Sequence, residues 1–526
     1  MRAHFLAVTL LAAAAAPAIA ADSADIVAAA EAGDSDAVRG LIRTGADASA
    51  ASADGTTALH WAAYNGDAEL ARTLLRAGAD PDGQNDYGAT PLSAAALAAD
   101  TVLIEALLDG GADPDLANAD GQTPLMVVAR SGNVDAARAL LKAGADPNAT
   151  EQWRGQTALI WAAAQGRPDM VALLLEHGAG PDARGKVNHW ESQVSGEPRA
   201  QYREMGGLTP MLYAAREGCA ECLSRLVEGG ADPDLPDPQG VTPLVMAINS
   251  MHFDAAKVLI EAGADVDKWD WWGRSPLYVA VDMNTVPYGG RVDRPAVDDA
   301  TSLDVIRMLL ERGANPDTRL KLFPPYRHVE DDRGCDLMLD IGTTPLLRAA
   351  KTFDAPAIAL LLEHGADVNK SNVYGVAPVM AAAGTWSVEC DVRGGPGYLD
   401  ANVQEKSIAA LDLLLKAGAD INASDDLDRG SFGQARGQTA LHGAAFWGWN
   451  DVVRYLVANG ADITAQDRNG MTPIDAAMGR AGGHDRGATI MVFEETAALL
   501  RELCAEQAGC ALPPEQAAQA GDPSAG

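Results

Sequence analysis

The six cysteines of this chain are its residues with the most evident chemistry. Cys219 and Cys222 form a C-x-x-C, a spacing that lets two thiols bridge or exchange with another disulfide; a helix start at this point would lower a thiol pKa. No alternating strand and helix pattern of the thioredoxin kind flanks them. A redox pair, a local bridge and a small buried thiol therefore stay open as readings. Covalent haem is excluded, because the residue after Cys222 is Leu223 and no other C-x-x-C occurs. Cys335 and Cys390 fall in two separate irregular stretches, and Cys504 and Cys510 lie close together near the carboxyl end. For an exported chain these positions predict a Cys335–Cys390 bridge, which would order two long loops, and a Cys504–Cys510 bridge.

Catalytic constellations are otherwise absent from the sequence. There is no G-x-S-x-G elbow, H-E-x-x-H zinc helix, Walker loop or dinucleotide fingerprint. His189, His252, His328 and His484 share no ligand spacing, and the aspartate-rich turns such as Asp113-Pro114-Asp115 lack the calcium-loop register. The expectation is a protein that is not an enzyme and has no cofactor and no metal.

The positions between these residues follow a repeated phrase. A Gly, a spacer, usually Thr, then Pro or Ala, then usually Leu recurs as Thr57-Ala58-Leu59-His60, Thr90-Pro91-Leu92, Thr123-Pro124-Leu125, Thr242-Pro243-Leu244, Thr344-Pro345-Leu346 and Thr439-Ala440-Leu441-His442. A leucine-rich segment ending in Gly-Ala-Asp closes each unit, as in Leu74-Leu75-Arg76-Ala77-Gly78-Ala79-Asp80. Thr can cap a helix through its hydroxyl, and Pro suits a first helical turn. The spacing of Val171, Leu174 and Leu175 puts aliphatic side chains on one helical stripe, with Gly178 ending the helix in a left-handed conformation.

This period and wording resemble the ankyrin repeat. The resemblance implies an all-α repeat solenoid, an ankyrin array of about 12 helix-turn-helix units with β-hairpin fingers and long loop insertions. In that register an amino-terminal capping repeat covers 21–55, the array runs over 56–470, and a carboxyl-terminal capping repeat covers 471–512. Insertions break the period near 183–206, 284–300, 318–341, 384–405 and 424–436, and residues 513–526 read as a disordered tail.

Residues 1–20 read as a cleavable signal peptide. Arg2, the apolar run from Phe5 to Ala16 and the small-residue site Ala18-Ile19-Ala20 predict cleavage after Ala20, and hence a periplasmic or secreted protein. No later stretch is apolar and long enough to be a membrane helix, so no membrane insertion is expected. The net charge of −33, from 40 basic and 73 acidic residues, repels phosphate backbones and argues against nucleic-acid binding.

The ankyrin resemblance also implies where a partner would touch. His60 and His442 would hydrogen-bond within the capping network. Contacts would come from finger residues and the ends of first helices, which here are Tyr64, Tyr87, Trp153, Trp269, Trp271, Trp272, Tyr374, Phe446 and Trp447. Trp and Tyr are favoured interface anchors. Trp271 and Trp272 are expected at the surface, dispensable for folding. The leading expectation is a monomeric, non-enzymatic periplasmic scaffold that binds a folded protein. An accessory subunit of a periplasmic oxidoreductase or stress-response system is one alternative, and a small-molecule or glycan binder lidded by the insertions is another.

Overall fold

The repeated threonine sets where each first helix begins. The hydroxyls of Thr57, Thr90, Thr123, Thr157 and Thr209 each accept the backbone N–H three residues on, and the same holds for Thr242, Ser275, Thr344 and Thr472. Each such cap contributes on the order of 1 kcal/mol. Ala377 has no hydroxyl, and its helix, Pro378–Ala382, starts without a side-chain cap.

The computed structural model describes residues 25–189, 204–285, 298–321, 341–385, 402–425, 437–480 and 492–512. The expected signal peptide, the Cys335–Cys390 pair, the bodies of the insertions and the tail lie outside these residues. The chain divides into two compact units, Met1–Gln239 and Gly240–Gly526. The first unit stacks helix pairs in chain order: 25–31 with Ser35–Thr44, Ala58–Tyr64 with Ala68–Arg76, Pro91–Ala98 with Thr101–Asp109, Pro124–Ser131 with Val134–Lys142, Ala158–Ala164 with Pro168–Glu176, and Pro210–Glu217 with Ala220–Glu228. The second unit pairs Pro243–Asn249 with Phe253–Glu261, Pro276–Asn284 with Ser302–Glu311, Pro345–Lys351 with Ala355–Glu363, Pro378–Ala382 with Val403–Lys416, Ala440–Phe446 with Asn450–Ala458, and Pro473–Ala477 with Glu494–Glu506. Mostly helical repeats of this kind make an all-α repeat fold.

Alanine pairs let neighbouring first helices approach. Ala62, Ala63, Ala95, Ala96, Ala162, Ala163, Ala214 and Ala215 are all fully buried, and from Ala58–Tyr64 to Pro210–Glu217 each first helix packs on the next. The second helices add aliphatic stripes such as Leu70 with Leu74 and Leu103 with Leu107. In the helix Pro168–Glu176 the stripe differs slightly from the predicted one. Met170, Val171, Leu173 and Leu174 are buried, whereas Leu175 is half-buried against Gly229.

The turns after the second helices are tied by a carboxylate and amide ladder. In the first unit Asp113 N donates to Asp82 Oδ1 (2.8 Å), Asp146 N to Asp115 Oδ1 (2.8 Å), Gly180 N to Asn148 Oδ1 (2.8 Å) and Asp232 N to Asp182 Oδ1 (3.0 Å). The second unit repeats the device between Asn315 and Asp267, Asp367 and Asp317, Asp420 and Asn369, and Asp462 and Asn422. Five aspartates, Asp82, Asp115, Asp182, Asp267 and Asp317, thus serve as backbone acceptors from repeat to repeat.

The expected fingers are mainly tight turns. Among the described residues the one regular strand pair is Val187–His189 antiparallel to Glu204–Gly206, at the base of the insertion near 183–206. The other finger insertions also leave a closed base: Leu320 N donates to the Thr343 carbonyl and Gly342 N to that of Leu320, while Asp425 N donates to the Gln438 carbonyl. Register therefore survives each interruption. The insertion expected to end near 405 instead gives way to helix at Val403, which lengthens that repeat's second helix.

Candidate partner-binding surface

In the first unit the fourth and seventh residues after each capping threonine recur at the same register of adjoining helices. They are Trp61 and Tyr64, Ala94 and Leu97, Val127 and Arg130, Trp161 and Ala164, and Tyr213 and Arg216. Tyr64 is 74% exposed and Leu97 68%, and Arg130 and Arg216 are also exposed. The aromatic rings are held by their neighbours. Trp61 meets Tyr64 edge-on at 5.8 Å, the Arg130 guanidinium lies over Trp161 at 5.6 Å, and Arg216 lies over Tyr213 at 4.7 Å. Gln156 Nε2 donates to the Tyr213 hydroxyl at 2.6 Å, fixing that ring as well. Cation–ring contacts of this kind hold Arg side chains across aromatic faces, and the Arg216 guanidinium is held further by Glu217, whose Oε1 accepts from Arg216 Nε at 2.9 Å.

Finger residues of the same unit stand clear of the surface. Tyr87 is 71% exposed and Trp153 73%, the latter with its indole N–H donating to Asp120 Oδ1 at 3.3 Å. None of the ten register positions is acidic, although the chain holds 73 acidic against 40 basic residues. Tyr64, Tyr87 and Trp153 stand exposed as expected from the sequence, whereas Trp61, Leu97, Arg130, Trp161, Tyr213 and Arg216 were not among the expected contact residues. Their signal was the register itself, since each sits four or seven residues beyond a capping threonine.

The second unit behaves differently at the equivalent positions. Asp282, Arg348 and Lys351 are buried, and Arg348 Nε donates to Asp282 Oδ1 at 2.6 Å. A buried ion pair holds neighbouring first helices together here, and removing one partner of such a pair costs about 3–5 kcal/mol. Trp269 and Trp271 are exposed as expected, with Lys321 Nζ over the Trp269 ring. Trp272 is a correction, because it is 5% exposed. Its carbonyl accepts the Lys321 N–H of the next repeat (2.8 Å) and its ring lies under Arg274, whose guanidinium is itself paired with buried Asp270 at 2.7 Å. Trp447 is a second correction. It is buried because its indole N–H donates to the Gly384 carbonyl (2.9 Å) and its ring stacks beside Trp449. Phe446 and Tyr374 are half-buried.

The titratable candidates resolve into structural roles. His60 Nδ1 accepts from Thr57 N and its Nε2 donates to the Ala89 carbonyl, and His442 repeats this with Thr439 and Met471. Burial holds both imidazoles below the ordinary histidine range. Cys219 is bridged to Cys222 and Cys504 to Cys510. Among the described residues, no group of three or more His, Cys, Asp or Glu is placed to hold a metal ion, and no helix is long and apolar enough to cross a membrane.

Comparison with known proteins agrees with this architecture. A family model for ankyrin repeats in three copies matches residues 26–108, 94–185, 211–320 and 399–497, and a single ankyrin-repeat model matches 341–373. The chain is 28% identical over 138 residues to a transient receptor potential cation channel subfamily A member 1 homolog of Caenorhabditis elegans, covering 26% of this chain and 9% of that protein. It is 33% identical over 100 residues to Rabankyrin-5 of Mus musculus, covering 17% and 9%. It is 31% identical over 139 residues to the B-cell lymphoma 3 protein homolog of Mus musculus, covering 26% and 25%. The aligned segment thus spans at most a quarter of each of these three relatives. With family matches along most of its length, the chain belongs to the ankyrin-repeat family.

Proposed function

We propose that this chain is a non-enzymatic scaffold that binds a protein partner along the first-helix row and fingers of its first unit. The observation that carries the reading is an acid-free row in an otherwise strongly acidic chain, in which exposed Tyr64, Leu97, Arg130 and Arg216 stand among half-buried Trp61, Trp161 and Tyr213. Ankyrin repeats generally mediate protein–protein interaction, which supports the same class of function. Aromatic anchors interleaved with arginines fit a partner segment that alternates apolar and acidic side chains. An exported, periplasmic setting, which rests on the sequence of residues 1–20, and a monomeric state form part of the proposal.

Selection of displayed peptides against the full chain tests the surface. Recovered peptides should be rich in Asp and Glu spaced by apolar residues. Arg130→Glu with Arg216→Glu should weaken their binding by about 2 kcal/mol or more while leaving the melting curve unchanged. Recovery of basic peptides, or binding indifferent to both charge reversals, would place the interface elsewhere.

A further inference from the structure

Cys219 occupies a position that about half of the other repeats give to an oxygen acceptor. At the start of the second helices, the side chains of Asp34, Asp67, Asp100, Asn133 and Asp354 accept the backbone N–H three residues on. Cys219 does the same with sulfur, its Sγ accepting from Cys222 N at 3.2 Å. That sulfur stands at the amino-terminal, positive dipole end of the helix that follows, Ala220–Glu228. An anion is favoured at such a place, and the only anion Cys219 can supply is a thiolate.

The two sulfurs differ in access. Cys219 is half-buried, whereas Cys222 is fully buried beside Leu223 and Leu226 on the packed stripe of the helix. The bridge spans three residues that the first helical turn already holds close. Closing so short a loop removes little entropy from the unfolded chain. Cys504–Cys510, by contrast, ties the end of the final helix to the turn after it.

We infer that the Cys219–Cys222 bridge is a thiol–disulfide exchange site whose co-reactant is a dithiol. An incoming thiolate attacks Sγ of Cys219, forming a mixed disulfide as the Cys219–Cys222 bond breaks. The electron pair goes to Cys222 Sγ, which takes a proton. The second thiol of the reductant, as thiolate, then attacks its own sulfur in the mixed disulfide and displaces Cys219 as a thiolate held by the helix cap. The dithiol leaves as a disulfide, two electrons poorer, and the protein carries two reduced cysteines. The inference does not rest on the partner-binding proposal, since its chemistry involves the two sulfurs alone.

The test uses the full chain with dithiothreitol as the dithiol, peptide mapping of each bridge, and circular dichroism in parallel. Cys219–Cys222 should open under native conditions with the melting temperature held within about 3 °C. In the reduced protein at neutral pH, iodoacetamide should label Cys219 at least about tenfold faster than Cys222. Opening of this bridge only together with cooperative loss of helicity, or equal labelling of the two sulfurs, would overturn the inference. A variant pair controls for folding: Cys219→Asp with Cys222→Ala should melt above Cys219→Ala with Cys222→Ala, because the carboxylate restores the anionic cap. Equal melting of the two would also overturn it, since the position would then not stabilise an anion.

Discussion

The imidazole of His60 spans two repeats, with Nε2 2.9 Å from the carbonyl oxygen of Ala89 while Nδ1 accepts from Thr57 N at 3.2 Å. That pairing requires a neutral ring protonated on Nε2 alone, because a protonated Nδ1 would face a backbone N–H. His442 makes the same bridge to Met471 at 3.2 Å. The repeat phrase thereby does two jobs with one side chain, closing the cap of its own helix and fastening the loop of the next repeat.

Acid should weaken both links. Burial holds the folded-state pKa of each ring below the unfolded value, so as pH falls the unfolded chain takes up its protons first. The stabilisation is complete above about pH 6.5 and is lost as pH falls toward the folded pKa, by up to about 1.4 kcal/mol per ring per pH unit. Urea titrations at pH 7 and pH 5.5 measure the slope. His60→Gln with His442→Gln should flatten it, and an unchanged slope in that variant would assign the acid sensitivity to other groups.

The aspartate ladder makes a sharper prediction about which carboxylates matter. Asp115 Oδ1 accepts from Asp146 N at 2.8 Å, and at the equivalent rung Asn148 does the same for Gly180 with an amide. Acceptance rather than charge is therefore the function of the position. Asp115→Ala should cost about 1 kcal/mol, and Asp115→Asn should cost less than half of that. Equilibrium denaturation of the two variants decides it; equal losses would mean that the charge itself contributes.

The repeat grammar was legible because it is local. A Thr that caps, a Pro at the first turn and a Leu that turns inward act within a few residues, so the helix pairs, the buried alanines and the histidine links follow from the phrase. Exposure was less legible because it depends on the neighbouring repeat. Tyr87 and Trp272 both precede a glycine at a finger tip, yet one is 71% exposed and the other 5%. The difference lies in Arg274 stacked on Trp272 and paired with Asp270, and in the Lys321 N–H that docks on the Trp272 carbonyl. Arg130 and Arg216 were passed over for a related reason: their value comes from lying over Trp161 and Tyr213, which only the register reveals.

Ala99 marks a place where the repeat departs from its own rule. Elsewhere in the first unit, glycines such as Gly66, Gly132 and Gly218 take the left-handed conformation after the first helix, whereas Ala99 adopts φ 50° with a Cβ in place. A left-handed residue with a Cβ carries a cost of about 1–2 kcal/mol, partly offset by the extra freedom glycine has when unfolded. Ala99→Gly should raise stability by up to about 1 kcal/mol, read as a higher urea midpoint at unchanged slope. A lower midpoint would mean that the Ala99 side chain contributes packing that outweighs the strain.

Trp271 and Trp272 are neighbours with opposite expected consequences. Trp271 is 67% exposed, so Trp271→Ala removes little packing and should shift stability by no more than about 0.5 kcal/mol. Trp272 is buried beneath Arg274, and truncating it leaves both a cavity and an arginine stripped of its stacking face. Trp272→Ala should therefore cost about 3–5 kcal/mol, the usual range for a buried tryptophan. The Arg274–Asp270 pair beside it amplifies the loss, because water admitted to the cavity would weaken a 2.7 Å contact that is now almost fully enclosed. Thermal melts of the two single variants separate the roles. Equal, small losses would mean that the ring of Trp272 is readily replaced by solvent, and that the finger is held by its backbone link to Lys321 alone.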